Sequence, residues 1–477
     1  MRYLALATDY DGTLATDGVV SAEAVAALER VVASGRKLIL VTGRQIEDLA
    51  QVFPRLDLFH RVVAENGALL YRPATREEKR LGESPPAEFV QALRARGVRP
   101  LSVGRSIVAT WEPNETVVLD VIRALGLELQ VIFNKGAVMV LPAGVNKGTG
   151  LHAALSALDL SPHNAVAVGD AENDHAFLNL CECAVAVANA LPLLKERADF
   201  VTRGDHGAGL AELADQLVAD DLRSQASLQA RHDVVLGTRG DGDDGEDVRL
   251  PPYGVRVLVA GPSGSGKSTL ATGLLEQLAE YAYQVCILDP EGDYTGLGDT
   301  VTVGDGQRPP TEEETLQVLE HPGQNVVINL LGVPMEDRPA HGSESLATLL
   351  RLLGRTGRPH WLVMDEAHHL LPAGADPESR TLAQQFPALL LITVHPERLD
   401  AAALGIVDVV LAVGDAPGQT LNAFARAVGQ PEPEMPAARL GPGEALAWFR
   451  RNATPPFCLR AAFPRAERNR HQRKYMQ

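Results

Sequence analysis

Short apolar runs alternate with amphipathic stretches along almost the whole chain, and this alternation restricts the possible folds more than any other feature. In the first part of the chain, buried strands are predicted at residues 4–7, 37–41, 62–64 and 165–168. Helical spacing of apolar residues predicts amphipathic helices at residues 21–32 and 148–158. Strands that alternate with helices form a mainly parallel sheet with both faces covered. The sequence therefore predicts an α/β fold.

A second series of apolar runs begins after Arg256. Its predicted strands lie at residues 257–260, 285–288, 326–331, 362–364, 389–394 and 409–413. A chain of 477 residues has room for about three domains at roughly 150 residues each. Two separate α/β series therefore predict a protein with at least two domains.

The sequence between the two series has a different character. Residues 219–250 contain no long apolar run, and the stretch 239–247 is rich in glycine and acidic residues. Such a segment buries too little apolar surface to fold alone, so a linker is predicted. The alternative is a calcium loop at Asp241, Asp243 and Asp244, although the spacing of an EF-hand and its closing glutamate are missing.

These changes predict four segments. They are a first domain at residues 1–218 with an inserted subdomain at about 82–145, a linker at 219–250, a second domain at 251–455 and a basic tail at 456–477. The insertion is predicted because prolines interrupt the periodicity there. The basic tail is either a solvated helix or a contact surface for an acidic partner.

Charge and cysteine content restrict the surroundings in which the chain works. Its 44 basic and 61 acidic residues give a net charge of −17, which argues against adhesion of the whole surface to nucleic acid or anionic membrane. Four cysteines are too few for a disulfide framework. No apolar run reaches the roughly eighteen residues needed to span a bilayer, and the amino terminus lacks a signal-peptide pattern. A cytoplasmic protein without membrane contact is predicted.

Two carboxylates follow the first predicted strand directly. Asp9 and Asp11 lie two residues apart, and Gly12 permits a tight turn after them. Both carboxylates can then face the crevice where open α/β sheets bind ligands. One carboxylate can attack phosphorus while the other transfers a proton. This pair therefore predicts phosphoryl chemistry.

Three later strand ends or helix starts carry the groups that such chemistry needs. Thr42 offers a hydroxyl, and Lys147 offers a positive charge at the start of a predicted helix. Asp170 and Asp174 offer the hard oxygen ligands that Mg²⁺ prefers.

The four motifs, in this order, resemble the haloacid dehalogenase-like phosphatase superfamily over about residues 1–218. The resemblance implies that Asp9 is the nucleophile, which forms an aspartyl-phosphate, and that Asp11 is the general acid and base. It also implies that Thr42 and Lys147 hold the phosphoryl group.

The same resemblance implies a metal site. Mg²⁺ would be held by Asp9, the backbone carbonyl of Asp11 and Asp170, with Asp174 assisting directly or indirectly.

The insertion and the sequence Ala64-Glu65-Asn66-Gly67-Ala68 resemble the type IIB (Cof-like) branch, which implies a Rossmann-like domain with a small α/β cap over the site. In the cap, Arg105 and Trp111 are candidates for contacting the far end of a substrate. A packed tryptophan and a surface arginine are the alternative interpretation.

A glycine-rich loop follows the first strand of the second series and begins an amphipathic helix. Its sequence, Gly261-Pro-Ser-Gly-Ser-Gly-Lys-Ser-Thr269, is a complete Walker A motif in its expected strand–loop–helix context. The predicted nucleotide-binding residues are Gly261, Gly264, Gly266, Lys267, Ser268 and Thr269. The glycines expose backbone N–H groups to the phosphates, the lysine contacts the β- and γ-oxygens, and Ser268 ligates Mg²⁺.

A second motif lies about a hundred residues later. The apolar strand at residues 361–364 ends in Asp365-Glu366, the Walker B arrangement. Asp365 would hold Mg²⁺, and Glu366 would orient and deprotonate the attacking water. His395, at the end of the next strand, is either a sensor of the γ-phosphate or a packed or solvated residue.

The sequence Asp289-Pro-Glu-Gly-Asp-Tyr294 resembles HerA/FtsK-type ATPases over about residues 250–455. This is the additional-strand class of RecA-like P-loop ATPases, and the resemblance implies a ring, normally a hexamer, that moves DNA or protein. The chain departs from the pattern because it lacks the amino-terminal β-barrel and the glutamine near His395. Arg351, Arg355 and Arg358 are candidates for the arginine that reaches a neighbouring subunit's nucleotide; solvated helix and turn positions are the alternative.

Together these motifs predict a bifunctional enzyme: a Mg²⁺-dependent phosphomonoester hydrolase joined to a HerA/FtsK-type ATP hydrolase. The predicted ligands are Mg²⁺, ATP and a small phosphorylated substrate, with a homo-oligomeric ring as the assembly and DNA as a candidate partner. One alternative is a polynucleotide kinase–phosphatase, against which Glu366 and the cap argue. Another is a phosphatase on a nucleotide-gated assembly platform.

Overall fold

The computed structural model describes residues 1–228, 230–239, 245–294, 297–298, 300–374, 377–436, 440–452 and 454–462. The chain divides into two compact units, Met1–Arg231 and His232–Gln477. Within the described ranges, no helix combines the length and the apolar character needed to cross a lipid bilayer.

The first unit is an α/β domain with a smaller inserted sheet. Its strands are β1 (Ala5–Asp9), β2 (Lys37–Val41), β3 (Arg61–Ala64), β4 (Leu69–Arg72), β5 (Glu77–Arg80), β6 (Ser102–Val103), β7 (Val108–Trp111), β8 (Leu129–Asn134), β9 (Ala137–Pro142), β10 (Ala165–Gly169), β11 (Cys183–Ala186) and β12 (Phe200–Val201). Its α-helices are α1 (Ala22–Ala33), α2 (Ile46–Val52), α3 (Ala87–Ala95), α4 (Glu115–Ala124), α5 (Lys147–Ser156), α6 (His175–Leu180), α7 (Pro192–Arg197) and α8 (His206–Asp220).

The main sheet of this unit has the order β12-β11-β10-β1-β2-β3-β4-β5. Its centre is parallel: β1 pairs in parallel with both β10 and β2. All five residues of β1 are buried, as expected for a central strand covered on both faces. The four strands predicted in this part of the sequence correspond to β1, β2, β3 and β10.

The inserted sheet forms a cap with its own core. Strands β6-β7-β9-β8 make a four-stranded antiparallel sheet, and α3 and α4 belong to the same segment. Phe89, Leu93, Val118 and Val140 are among the residues of its separate hydrophobic cluster. These elements lie within the stretch for which the prolines predict an insertion.

The second unit contains a larger mixed sheet. Its strands are β13 (Val234–Arg239), β14 (Glu246–Leu250), β15 (Arg256–Ala260), β16 (Val285–Asp289), β17 (Thr300–Val303), β18 (Asn325–Asn329), β19 (Trp361–Met364), β20 (Leu389–Thr393), β21 (Val409–Ala412), β22 (Glu444–Phe449) and β23 (Phe457–Ala461). Its α-helices are α9 (Lys267–Glu280), α10 (Glu312–Leu319), α11 (Arg338–Thr356), α12 (Pro377–Gln384), α13 (Ala401–Gly405) and α14 (Pro417–Ala427).

The strand order of this sheet is β14-β13-β23-β22-β21-β15-β20-β19-β16-β18-β17. Strand β20 lies between β15, which precedes the glycine-rich loop, and β19, which precedes Asp365, and it is parallel to both. This interposed strand is the feature that the additional-strand class implies. The predicted fold class, a Rossmann-like domain with a cap followed by a P-loop domain, is confirmed.

The edge of the second sheet includes residues for which composition predicts no strand. β13 and β14 lie in the segment predicted as a linker, and β23 lies in the predicted basic tail. Val234, Leu250 and Leu459 are buried, so a few apolar side chains anchor these edge strands in the core of the second unit. Such sparse apolar residues give no periodic signal in the sequence. The predicted calcium-loop residues 241–244 and the tail residues 463–477 lie outside the described residues.

Candidate active sites

The first candidate site lies at the carboxyl ends of parallel strands in the first unit. Asp9 ends β1, and its register partner Val41 immediately precedes Thr42. Asp170 follows β10, and Lys147 begins α5. The fold therefore places these predicted residues at the switch region of the sheet, where open α/β sheets bind ligands.

Lys147 joins two of the predicted carboxylates. Its Nζ donates to Asp9 Oδ1 at 2.6 Å and to Asp174 Oδ1 at 2.6 Å. Only 2% of the lysine is exposed. Burial alone would lower the pKa of Lys147, but the carboxylates of Asp174 and Asp9 raise it above its ordinary value. The lysine is thus a permanent positive charge in a site of buried carboxylates.

The start of α5 is fixed by local hydrogen bonds. The side chain of Asn146 accepts hydrogen bonds from the backbone N–H groups of Gly148 at 2.9 Å and Thr149 at 3.1 Å. The Thr149 hydroxyl in turn accepts from the Asn146 N–H, completing a capping box. This cap sets where the helix begins, and so where Lys147 enters the site.

Asp174 also organises the loop that carries Asp170. Its Oδ2 accepts hydrogen bonds from the backbone N–H groups of Asp170 at 2.8 Å and Ala171 at 2.9 Å. Asp170 Oδ1 accepts from the Thr13 hydroxyl at 3.1 Å. The two aspartates are therefore held in fixed positions relative to each other and to the loop after β1.

Asp9, Asp170 and Asp174 form a group that fits a metal ion. Each offers a carboxylate oxygen, and these oxygens all lie within 4.8 Å of one another. Burial raises the pKa of Asp9; Lys147 opposes this effect, while Asp174 and Asp170 add to it. Even with Lys135, which contacts Asp170, the three carboxyl groups leave an excess of acidic groups over lysines. Hard oxygen donors with that excess suit Mg²⁺.

Asp11 lies beside this group and is held by Arg44, a residue to which the sequence motifs assign no role. Arg44 donates to both carboxylate oxygens of Asp11, from Nε at 2.7 Å and from Nη2 at 2.7 Å. Its Nη1 donates to Asp48 at 2.7 Å. A two-pronged contact of this kind fixes orientation as well as charge. The pairing therefore sets the position of Asp11 at the mouth of the site.

Thr42 is fully buried next to the same loop. Its hydroxyl oxygen accepts a hydrogen bond from the Arg44 backbone N–H at 3.1 Å. Its own backbone N–H donates to Val63 O at 2.8 Å, which ties the end of β2 to β3. Thr42 thus shapes the turn that carries Arg44.

A pocket of about 590 Å³ separates these residues from the cap. Its lining includes Asp9, Asp11, Lys147 and, from the cap, Trp111 and Lys135. Trp111 is 53% exposed, which contradicts its interpretation as a packed core residue. Its ring is available to contact a ligand in the pocket.

Arg105, the other cap candidate, is engaged with carboxylates of the first unit. Its guanidinium pairs with Glu47 and, at 3.2 Å, with Glu78. It is not among the residues that line the pocket. The structure therefore favours a surface ion pair for Arg105.

Glu65 is a buried connection between the main domain and the cap. Its carboxylate accepts hydrogen bonds from the backbone N–H groups of Arg105 at 2.7 Å, Ser106 at 2.7 Å and Ile107 at 3.1 Å. Its own backbone has φ +51°, in the left-handed region. The Glu-Asn-Gly sequence indicated this position, but nothing in the sequence showed which atoms it would contact.

Lys135 was not predicted as a site residue. It lies in the turn between β8 and β9, and its Nζ donates to Asp170 Oδ2 at 2.8 Å. The same Nζ is 3.4 Å from the backbone carbonyl oxygen of Asp11. A signal did exist in the sequence: residues 82–145 contain no other lysine, and this one precedes a glycine between two apolar runs.

The second candidate site surrounds the glycine-rich loop of the second unit. Gly264 and Gly266 have backbone φ angles of +73° and +96°, which residues other than glycine rarely adopt. Gly261 packs against Val413, whose Cγ2 would lie 2.9 Å from an added Cβ. Helix α9 begins at Lys267, with Ser268 and Thr269 in its first turn. The predicted strand–loop–helix arrangement is therefore present.

Lys267 is buried at the start of α9, and its Nζ donates to the backbone carbonyl of Pro262 at 3.0 Å. Burial lowers the pKa of this lysine, while the carboxylates of Glu366 and Asp365 oppose the effect. The lysine and the two acidic residues are therefore close enough to interact electrostatically.

Asp365 and Glu366 follow β19 in the same region. Burial, then the charges of Glu366 and Asp289, raises the pKa of Asp365 to about 7. Glu366 has φ +38°, and its buried Oε2 forms no hydrogen bond among the described residues, with His368 Nδ1 3.4 Å away. An unsatisfied buried acceptor beside a buried aspartate suits a bound cation or an ordered water.

The end of β20 adds a polar contact to this region. The Thr393 hydroxyl lies 3.0 Å from His368 Nδ1, and it also accepts from the His395 backbone N–H at 3.1 Å. Burial, with the charges of His369 and His395, lowers the pKa of His368 to about 4, so its ring is neutral near pH 7. The His395 ring is 42% exposed and lies 3.0 Å from Glu397, which favours the solvated interpretation of this residue.

Asp289 organises the loop that follows β16. Its Oδ1 accepts from the backbone N–H groups of Gly292 at 2.7 Å, Glu291 at 3.2 Å and Asp293 at 3.2 Å, and its Oδ2 accepts from Tyr294 at 2.9 Å. This residue therefore shapes the loop on which the resemblance to HerA depends.

The three candidate arginines occupy different environments. Arg358 is fully buried, and its guanidinium donates to Gln284 Oε1 at 3.2 Å and to Leu319 O at 2.9 Å. Because these partners lie in the interior of its own subunit, Arg358 is ruled out as the arginine that contacts a neighbouring subunit's nucleotide. Arg351 and Arg355 have exposed side chains, each paired with a glutamate of the same unit.

Comparisons with known proteins identify both parts of the chain. Residues 6–106 and 123–213 match the haloacid dehalogenase-like hydrolase family, and residues 254–338 match the central domain of the helicase HerA. Both resemblances inferred from the motifs are thereby confirmed.

Relatives of the first unit include two proteins named phosphoglycolate phosphatase. The protein of Methanothermobacter thermautotrophicus is 33% identical over 219 aligned residues, and the match covers 44% of this chain and 96% of the relative. The protein of Haloarcula marismortui is 34% identical over 220 aligned residues, and the match covers 43% of this chain and 94% of the relative. A solved structure of a haloacid dehalogenase-like hydrolase from Bacteroides thetaiotaomicron is 19% identical and covers 45% of this chain and 99% of its own, with a TM-score of 0.40.

Proposed function

The chain belongs to the haloacid dehalogenase-like hydrolase family, and on this basis we propose that it hydrolyses phosphomonoesters through a covalent intermediate on Asp9. The observation that carries the proposal is the contact of Lys147 Nζ with both Asp9 and Asp174, at 2.6 Å each, at the base of a pocket beneath the cap. A buried cation beside a carboxylate nucleophile stabilises the negative charge of a transferring phosphoryl group.

In the first step, an Asp9 carboxylate oxygen attacks phosphorus, and the bond from phosphorus to the ester oxygen breaks. Asp11 donates a proton to that departing oxygen, so the substrate leaves as an alcohol. In the structure Arg44 donates to both carboxylate oxygens of Asp11, at 2.7 Å each, so Asp11 must give up one of these contacts to carry the proton that it donates. The phosphoryl group remains on Asp9.

In the second step, Asp11 accepts a proton from water, and the water oxygen attacks phosphorus. The bond between phosphorus and Asp9 breaks, which releases phosphate and restores both aspartates. Asp9, Asp170, the Asp11 carbonyl and Asp174 would hold Mg²⁺, which supplies positive charge to the phosphate oxygens when bound. Lys147 and Thr42 would hold the phosphoryl group.

Phosphoglycolate is the first substrate to test, because relatives that align with the first unit over nearly their whole length carry that name. The decisive experiment is phosphate release from 2-phosphoglycolate, compared with sugar phosphates, nucleotides and 3′-phosphorylated DNA. Turnover of small phosphomonoesters in the presence of Mg²⁺ is expected. Hydrolysis confined to the DNA end would instead favour an end-healing enzyme.

Replacing Asp11 by Asn is expected to slow phosphomonoester cleavage by about 10²–10⁴-fold, because the amide can neither donate nor accept the transferred proton. The loss should be largest for substrates with a poor leaving group and smaller for p-nitrophenyl phosphate, whose leaving group needs little protonation. Steady-state rates with both substrate types measure the difference. An unchanged rate with an alkyl phosphate would contradict the role of Asp11.

For the second unit we propose ATP binding and hydrolysis of the HerA/FtsK type. The proposal is supported by the interposed strand β20, by the left-handed glycines of the loop and by the two acidic residues after β19. Lys267 would contact the β- and γ-phosphates, Ser268 and Asp365 would hold Mg²⁺, and Glu366 would deprotonate the attacking water. ATP turnover measured with and without DNA tests both the activity and the candidate partner.

We also expect ring formation, because HerA-type ATPases place nucleotide between neighbouring subunits. Rotational closure, normally as a hexamer, satisfies every head-to-tail interface. Arg351 and Arg355 remain the candidates that would contact a neighbour's nucleotide, since both side chains are exposed. Mass photometry with ATP and Mg²⁺ measures the oligomer. A monomer with full ATP turnover would contradict the ring and the shared site together.

A further inference from the structure

We propose that Lys135 selects the substrate of the phosphatase site by binding a second anionic group on a short phosphomonoester. The substrate class is then a small phosphorylated carboxylic acid rather than a neutral phosphate ester. This proposal rests on the phosphomonoester hydrolysis proposed above. It adds the residue that binds the part of the substrate beyond the phosphoryl group.

The position of Lys135 suits that role. The cap hairpin β8–β9 carries it at its tip, in a turn where the backbone has φ +48°. From there the side chain enters the pocket, and its Nζ reaches Asp170 Oδ2 at 2.8 Å. An added Cβ on Gly12 would lie 2.8 Å from the same Nζ, so the ammonium group rests directly on the loop between Asp11 and Thr13.

The other cationic side chains that line the pocket, Lys147 and Arg44, each pair with two carboxylates. Lys147 is buried between Asp9 and Asp174. Arg44 is divided between Asp11 and Asp48. Lys135 differs because its side chain is 49% exposed and pairs with one carboxylate, Asp170, whereas Lys147 and Arg44 each pair with two.

Lys135 and Mg²⁺ therefore compete for the same carboxylate. An ammonium group at hydrogen-bond distance from Asp170 would lie close to a dication bound there, and the two positive charges would repel each other. With a dication held by Asp170, the half-exposed ammonium group of Lys135 would turn to water or to another anion in the pocket. Its flexible four-carbon stem allows this change without movement of the cap backbone.

The substrate supplies that anion. A phosphoryl group near Asp9 places the rest of a short ester in the pocket, which the tip of the hairpin borders. A carboxylate one or two carbon atoms from the ester oxygen lies within reach of the displaced ammonium group. A neutral ester of the same size offers it no partner, so the lysine would then remain an unpaired cation beside the metal.

The test compares 2-phosphoglycolate with ethyl phosphate, which has a similar size and no carboxylate, using the full chain. Replacing Lys135 by Met is expected to lower the ratio of kcat/KM for 2-phosphoglycolate to kcat/KM for ethyl phosphate by about 10–100-fold. This is the contribution of one charged hydrogen bond. Lys135→Arg should restore most of the preference. Lys79→Met, at an exposed position of β5, is the matched control and should keep the parent ratio.

A second measurement does not depend on turnover. Mg²⁺ alone is titrated by calorimetry into chains that also carry Asp365→Asn, which removes the carboxylate among the two proposed metal ligands of the other site. Lys135→Met should tighten Mg²⁺ binding by about 2–5-fold, because it removes the competing ion pair. Unchanged affinity would overturn the competition, and an unchanged substrate ratio would overturn the selectivity. A parent chain that hydrolyses neither ester would refute the proposed function, while the titration would still decide on Lys135.

Discussion

Replacing Asp9 by Asn is expected to abolish phosphomonoester hydrolysis while ATP hydrolysis continues at the parent rate. The amide has nearly the size and shape of the carboxylate, but its oxygen is too weak a nucleophile to attack phosphorus. Loss of a catalytic nucleophile lowers turnover by about 10⁴–10⁶-fold in well-studied hydrolases. Phosphate release from 2-phosphoglycolate and from ATP, measured on the same preparation, gives both rates.

The Asp9→Asn chain should remain folded, because Lys147 keeps its 2.6 Å contact with Asp174. Burial disfavours the charged form of Asp9, so the neutral amide removes a cost of folding as well as a charge. Asp120→Asn, at an exposed position of α4, makes the same chemical change at a residue that belongs to neither site and should leave both activities intact. Equal loss of both activities in a well-folded Asp9→Asn chain would contradict two separate sites.

The central strands could be predicted because a strand that is buried on both faces is a continuous run of apolar residues. β2 was predicted to the residue, and β1, β3 and β10 within two residues, since each is a short run of apolar residues between polar turns. β5 was not predicted, because all four of its residues, Glu77–Arg80, are exposed. A strand at the edge of a sheet needs only backbone pairing, and its side chains carry no periodic signal.

The predicted catalytic groups came together because the carboxyl ends of parallel strands share one edge of the sheet. Sequence spacing could not predict the partners of those groups. Arg44 is visible in the motif after β2, but its two contacts with Asp11 depend on how the turn folds. Lys135 approaches Asp170 from 35 residues away through the geometry of the cap, which no local pattern encodes. Arg358 illustrates the same limit. The sequence suggests either a contact with a neighbouring subunit or a solvated turn, because an arginine after a helix is normally solvated. In the structure its guanidinium is buried and donates to backbone carbonyl groups around it.

Replacing Glu366 by Gln is expected to leave ATP bound but to slow its hydrolysis by about 10²–10⁴-fold. The glutamate follows β19 in a left-handed backbone conformation, and its buried Oε2 has no hydrogen-bond partner among the described residues. Glutamine preserves the size of the side chain but cannot accept the proton of the attacking water. Lys267→Ala should differ, because it removes a phosphate contact and should weaken nucleotide binding itself.

Binding of a fluorescent ATP analogue and ATP turnover, measured separately, distinguish these two outcomes. Glu313→Gln, at an exposed position in the first turn of α10, is the matched control and should affect neither quantity. Glu366→Gln should also leave phosphatase activity unchanged, whereas Asp9→Asn should abolish phosphatase activity and leave ATP hydrolysis unchanged. A normal rate of ATP hydrolysis in Glu366→Gln would show that another group activates the water.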